Sequence, residues 1–262
     1  MLHKDAEISQ TVYTMANEFK IVILATFDRN NFPNKAMVDI HGKPMIERVY
    51  DSARSSGASE IVIATSSPRV GMVAEDFGAT VCMVVDEALR GIAHLSEVVD
   101  KMGWSDDEIV VNFPGDAPLT PGSIIRQVAD NLHMHTDADC TTLYSPVSAS
   151  TAGKRGCITM TTDSSDYVMY MSRQPIPHQS SESFTVPAYK CYLGLNAFRV
   201  GLLRIYCNLR QSEMEQAEEI EELRLLYNGL KIHAAEANSL IGQRVLTEED
   251  VEKVRIQIAP SR

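Results

Sequence analysis

Four short apolar runs, each followed by a stretch with helical periodicity, constrain this chain more than any other feature. Ile21 to Ala25 is an unbroken apolar run of strand length. Pro44 then opens a helix with Ile46, Val49, Tyr50 and Ala53 on one face, and Gly57 ends it. The cycle repeats with 60-EIVIAT-65 and a helix over about 68–77, then 79-ATVCMVV-85 and a helix from about Gly91 to Met102. The fourth run, 107-DEIVVNF-113, leads into 114-PGDAP-118, and a helix starts at Thr120-Pro121 with Ile124, Ile125, Val128 and Leu132 inward. Four β–α repeats imply an α/β fold with a mainly parallel sheet and helices on both faces. Right-handed crossovers gather the strand-end loops along one edge, where such sheets bind ligands. The loop after the first strand and 114-PGDAP-118 should therefore face one crevice.

After about residue 138 the pattern changes. The segments 140-CTTLYSPV-147, 157-CITMTTD-163, 167-YVMYMS-172 and 189-YKCYLGLNAF-198 read as antiparallel strands. An acidic helix is expected from about Glu213 to Tyr227, then a late strand, 231-KIHAAEA-237, and a closing helix from Thr247, where Asp250 completes a capping box. The organisation expected is an N-terminal extension over 1–18 and one domain over 19–262. Its halves are 19–137 and 138–262, the second a smaller antiparallel lobe.

Charge and cysteine usage narrow the function classes. A net charge of -11 argues against nucleic-acid binding. No run is long enough to span a membrane, and the N-terminus lacks the apolar core of a secretory signal, so a cytoplasmic location is expected. The five cysteines form no CxxC pair and several lie in apolar runs, which predicts buried free thiols rather than disulfides or a metal site.

Asp116 is the sharpest polar feature. A carboxylate on a glycine turn after a buried strand suits Mg²⁺, which prefers carboxylate oxygen and shares its shell with phosphates; it equally suits a cap on its own turn. Lys35 follows the first strand at a distance that lets it fold over a phosphate, and Lys43 precedes a helix N-terminus; either can also be a solvated lysine. Arg173, beside Ser172, can meet a phosphate or carboxylate bidentately, or pair with a surface acid. In 215-EQAEEIEELR-224 a solvated face, with Arg224 pairing Glu221, outweighs a metal site. No Walker loop, G-x-G-x-x-G or Ser–His–Asp pattern occurs.

Together, 38-VDIHGKPMIERVY-50, 61-IVIAT-65, 109-IVVNFPGDAPL-119, 124-IIRQVADNL-132, 170-YMSRQPIP-177 and 223-LRLLYNGLKIHAA-235 resemble the 3-deoxy-manno-octulosonate cytidylyltransferases, or CMP-Kdo synthetases. The resemblance implies a nucleotide-diphospho-sugar transferase fold, usually a homodimer, with 19–137 as the nucleotide-binding half and 138–262 as the sugar-binding and dimerisation half. It implies transfer of CMP from CTP to a 2-keto sugar acid with Mg²⁺ assisting and pyrophosphate leaving. Carried over, it places Ala25, Thr26, Arg29, Lys35, Pro114 and Gly115 at the nucleotide, with Lys35 and Asp116 catalytic and Asp116 on the metal. Ser172, Arg173, Tyr192, Glu221 and Glu222 fall at the sugar acid.

Departures from the family pattern gather at the same places. Thr26 and Asn31 stand where the family loop has arginines, Asn34 replaces its glycine, Pro114 its base-reading glutamine, Thr159 a lysine and Tyr192 a histidine. The family's V-D-T-P-E-D is 245-VLTEED-250, so the second metal-ligand position is Leu246. Charge-assisted contacts are each worth roughly 1.5–3 kcal/mol, so the expectation is absent or very slow CTP turnover with Kdo. The alternative reading is a catalytically silent paralogue that binds a sugar nucleotide or regulates a partner.

Overall fold

The structure, a computed structural model, describes residues 18–25, 32–84, 91–154, 156–180, 186, 188–242 and 244–258. Thr26, Arg29, Asn31 and the N-terminal extension up to residue 17 lie outside the described residues.

The first half contains β1 (Lys20–Leu24), the small hairpin β2 (Asp39–Ile40) and β3 (Lys43–Pro44), and α1 (Met45–Arg54). It continues through β4 (Glu60–Thr65), α2 (Pro68–Asp76), β5 (Thr80–Met83), α3 (Ile92–Met102), β6 (Ile109–Pro114) and α4 (Gly122–Met134). The second half begins with β7 (Cys140–Val147), α5 (Ala149–Ala152), β8 (Thr159–Thr162), β9 (Val168–Ser172) and β10 (Tyr189–Arg199). It ends with α6 (Val200–Tyr206), α7 (Glu213–Glu218), α8 (Glu222–Tyr227), β11 (Ile232–Glu236) and α9 (Glu248–Ile258).

Among the described residues the main sheet runs β11-β7-β10-β6-β1-β4-β5, with β8 and β9 branching from β10. The strands β6, β1, β4 and β5 are mutually parallel, and β11 runs parallel to β7. Antiparallel pairing enters through β10, which meets β6, β7 and β8, and through β8 with β9. The expected mainly parallel sheet with an antiparallel addition is therefore observed.

Side-chain alternation explains why the sheet is covered on both faces. Ile21 and Ile23 of β1 join α1 and α4 through Val49, Ala53, Ile124 and Val128, whereas Val22 faces Leu95, Val98 and Leu203 of α3 and α6. All of these are fully buried. Each fully buried aliphatic side chain contributes about 1.5–3 kcal/mol, so β1 is pinned between two cores.

Three local expectations are corrected. The acidic helix is broken into α7 and α8 because Glu219 adopts a left-handed φ of 52°. Arg224 pairs not with Glu221 but bidentately with buried Glu215, at 2.9 and 2.6 Å. Pro121, not Thr120, is the N-cap of α4, and no side chain closes it. The expectation of buried free thiols holds for Cys82 and Cys140 alone: Cys157 and Cys191 form a disulfide beside the β8–β10 pairing, and Cys207 is free but exposed. The two partners are separated by 34 residues, and only strand pairing brings them together.

Half of the capping box expected at α9 is observed: Asp250 reaches back to the Thr247 amide, while its own amide donates to the Thr247 carbonyl and not to the hydroxyl. Asp250 accepts from the Leu246 and Thr247 amides at 3.1 and 3.0 Å and from the Thr247 hydroxyl at 3.1 Å. Asp250→Ala should cost about 1–2 kcal/mol, the usual worth of such a cap. Thermal melts should show a midpoint lowered by about 2–8 °C; an unchanged midpoint would mean the cap is energetically idle.

Candidate active site

The crevice forms where β1 and β6 end side by side, with Leu24 opposite Pro114 in the parallel register. The turn after β6 lies directly on β1: the Gly115 amide donates to the Leu24 carbonyl at 3.2 Å. A β-carbon at Gly115 would sit 2.4 Å from that carbonyl oxygen, so only glycine permits the approach. This close contact delivers Asp116 into the crevice. On the opposite wall, Asn34 takes a left-handed φ of 60° and starts the turn that carries Lys35. A third segment closes the site, because the Val245 amide donates to the Asp116 carbonyl at 2.9 Å. Its side chain is fully buried. The resulting cavity of about 300 Å³ is lined by Ala25, Lys35, Asn112, Gly115, Asp116 and Arg244, among others.

Asp116 is held by two cations. Lys35 Nζ lies 2.9 Å from Oδ2. Arg244 Nε and Nη2 lie 2.9 and 2.7 Å from Oδ1. Burial alone would push the Asp116 carboxyl up, but the Arg244 and Lys35 charges override it and hold the group below the ordinary carboxylate range. Asp116 is therefore ionised at neutral pH with both oxygens engaged.

This arrangement does not fit the Mg²⁺ that the family resemblance implies. Mg²⁺ demands near-octahedral oxygen ligands, commonly one or two carboxylates plus phosphate and water. Asp116 is the one acid among the described residues lining the cavity. The second ligand position, Leu246, directs its Cδ1 to within 3.7 Å of where a β-carbon on Gly156 would stand. Among the described residues no group of three or more His, Cys, Asp and Glu side chains is placed to hold a metal ion.

A second cavity, about 680 Å³, adjoins the first and is lined by Ile158, Arg173, Glu215, Glu219, Glu221 and Glu222, among others. Arg173 donates from its amide to Glu218 at 2.8 Å and from Nη2 to the Glu219 carbonyl at 2.9 Å. Ser172 donates to the same Glu218 carboxylate at 2.7 Å. Deeper in, Glu222 Oε1 accepts from the Tyr192 hydroxyl at 2.6 Å and from Asn196 Nδ2 at 2.7 Å. Burial and then the Glu222 charge push the Tyr192 phenol well up, so it stays a proton donor. The cavities meet at Gly91, which lines the first, while Glu221 lines the second and accepts from the Ile92 amide at 3.0 Å. Gly91 has φ 46° and ψ -115°, a backbone conformation that favours glycine, and a β-carbon there would also meet the Glu221 carboxylate.

Of the residues singled out from sequence, Ala25, Lys35, Pro114, Gly115 and Asp116 share the first cavity. Arg173, Glu221 and Glu222 line the second, with Ser172 and Tyr192 hydrogen-bonded at its wall. Lys43 instead pairs with Glu47 and Asp51, each at 2.7 Å, away from both cavities. Sequence reasoning missed Arg244 and Asn112. Arg244 stands one residue before 245-VLTEED-250, and nothing in that pattern points to a partner 128 residues away. Asn112 looks like any polar residue in a strand, yet its buried Oδ1 meets no donor in the structure.

Residues 21–232 match the family described as Cytidylyltransferase. The chain is 38% identical over 245 residues to the 3-deoxy-manno-octulosonate cytidylyltransferase of Coxiella burnetii (strain RSA 331 / Henzerling II), covering 91% of this chain and 98% of that one. It is 37% identical over 250 residues to the enzyme of the same name from Haemophilus influenzae (strain PittEE), covering 92% and 98%. A solved CMP:2-keto-3-deoxy-manno-octonic acid synthetase complexed with CTP superposes with a TM-score of 0.85 at 30% identity, covering 92% of this chain and 98% of that one.

Glu221 makes the site sensitive to base. Burial first, and then the Glu222 charge, push it up to about 8. A raised carboxyl pKa stabilises the fold below the ordinary value and loses that contribution as pH rises through the raised one. Melts between about pH 6 and about pH 9 should show a falling midpoint that is flatter in Glu221→Gln. Equal slopes for the two proteins would overturn this assignment.

Proposed function

This chain belongs to the cytidylyltransferase family, and from that premise we propose that it binds CTP in the first cavity and transfers CMP to a 2-keto sugar acid of the Kdo type held in the second, releasing pyrophosphate. The observation that carries the reading is the cavity at the carboxyl ends of β1 and β6 together with a second cavity that adjoins it. One has the cations Lys35 and Arg244, suited to phosphates; the other is rich in polar side chains. The match to the cytidylyltransferases over most of both chains supports it. Lys35 would neutralise phosphate charge. The turn at Gly115 would bring a nucleotide against the backbone, and the amide ends at Gly91 and Ile92 would border the junction of donor and acceptor. Two copies of the chain acting as a homodimer fit the same reading.

A second reading is favoured by one observation: both oxygens of the single cavity acid are occupied by cations, and Leu246 stands where the family places a further carboxylate. In that reading the protein binds the nucleotide without turning it over and acts as a regulatory partner.

Titration calorimetry with CTP and a continuous pyrophosphate assay with CTP, Kdo and Mg²⁺ separate the two. The enzyme reading expects CTP binding and pyrophosphate release above background, slowed by several powers of ten for lack of the charge-assisted contacts. Binding without release supports the silent partner. Lys35→Ala should weaken CTP binding about tenfold or more, the loss of one charge-assisted contact. Absence of CTP binding would sink both readings.

A further inference from the structure

We propose that nucleotide binding in the first cavity is independent of divalent metal, because the Arg244 guanidinium supplies at Asp116 the positive charge that Mg²⁺ would otherwise bring. The proposal rests on the reading that this cavity binds CTP, and goes beyond it in naming what neutralises the phosphates.

The geometry is built rather than incidental. Arg244 precedes a residue whose amide is bonded to the Asp116 carbonyl, and the following turn is closed by Asp250, so the backbone on the C-terminal side of Arg244 is fixed. Gly194, at a left-handed φ of 75° in the irregular part of β10, makes room for the side chain. A β-carbon there would stand 2.9 Å from Arg244 Nη1. Three segments distant in sequence thus converge to present Arg244 to one carboxylate oxygen and Lys35 to the other.

Charge arithmetic then separates an arginine-filled site from a metal site. One carboxylate, one ammonium and one guanidinium sum to a single net positive charge with no ion added. A divalent ion on either Asp116 oxygen would displace a charge-assisted hydrogen bond. It would also put two more positive charges beside both cations, next to a carboxylate whose side chain is only 11% exposed. In such a site like charges are poorly screened, and Coulomb repulsion opposes the ion. A triphosphate has the opposite sign and gains from the same field. The side chains of Lys35 and Arg244 remain 23% and 37% exposed, so both cations still present surface toward the cavity. Asp116 in this arrangement positions two cations for phosphate instead of ligating a metal.

The test is CTP affinity by titration calorimetry on the full chain, in EDTA and in Mg²⁺, for the native protein and for Arg244→Ala and Arg244→Lys. Native affinity should differ by less than about twofold between the two buffers, and Arg244→Ala should bind about tenfold or more weakly in EDTA. Arg244→Lys, which keeps the charge but loses the fork, should recover part of that loss. Thermal melts confirm that each variant is folded. Native affinity that tightens about tenfold or more on adding Mg²⁺ overturns the proposal while leaving CTP binding intact, as does a folded Arg244→Ala that binds CTP like the native protein. No binding in either buffer removes the CTP reading and this proposal with it.

Discussion

The close approach of Gly115 to the Leu24 carbonyl is the contact on which the site depends. It exists because β1 and β6 are parallel neighbours buried on both faces, and because residue 115 has no side chain. It sets the depth at which Asp116 enters the crevice, and that depth makes its charge costly without partners. Burying an unpaired carboxylate is strongly unfavourable, so the fold must bring cations to it or neutralise it. Here it brings two. Lys35 arrives from the turn after β1, and Arg244 from the segment between β11 and α9. The carboxylate thereby becomes the point where the beginning, the middle and the end of the chain are tied together.

The second cavity follows a different rule. It concentrates acids, and the chain manages their repulsion one at a time. Glu215 is matched by Arg224, and Glu222 accepts from Tyr192 and Asn196. Glu218 accepts from Ser172 and from the Arg173 amide, and Glu221 takes the first amide of α3. The left-handed turn at Glu219 makes this distribution possible, because an unbroken helix would set these carboxylates on a fixed spiral. The helix propensity of 213-EMEQAEEIEELRLLY-227 is real, but local preference yields to tertiary demand here. One turn is given up so that Glu221 can reach Ile92.

Much of this architecture was legible in the sequence for a clear physical reason. Parallel strands buried on both faces must be continuously apolar, so β1, β4 and β6 announce themselves, and amphipathic periodicity marks α1 and α4 with equal clarity. The β–α order then places Lys35 and Asp116 in one crevice before any coordinates exist. What stayed hidden is long-range and specific. Arg244 has no pattern around it that names Asp116 as its partner, and its role depends on a strand bulge at Gly194. Cys157 and Cys191 look like isolated thiols until β8 is paired with β10. Leu246 could be read as a missing ligand; that Arg244, two residues before it, reaches Asp116 could not.

The pairing of β6 with β10 carries a consequence for how the chain must assemble. The strand that ends at the Gly115 turn borders β1 on one side, but its other side is covered only when residues 196–199 dock antiparallel against it. The first half of the chain, emerging alone during synthesis, would present β6 as an open, apolar sheet edge, which is a template for pairing with other chains. Its exposure ends only midway through the second half, and Arg244 is added later still. The two halves of the chain are thus a single folding unit, in which the part that looks self-sufficient by its β–α repeats is the part most in need of shelter.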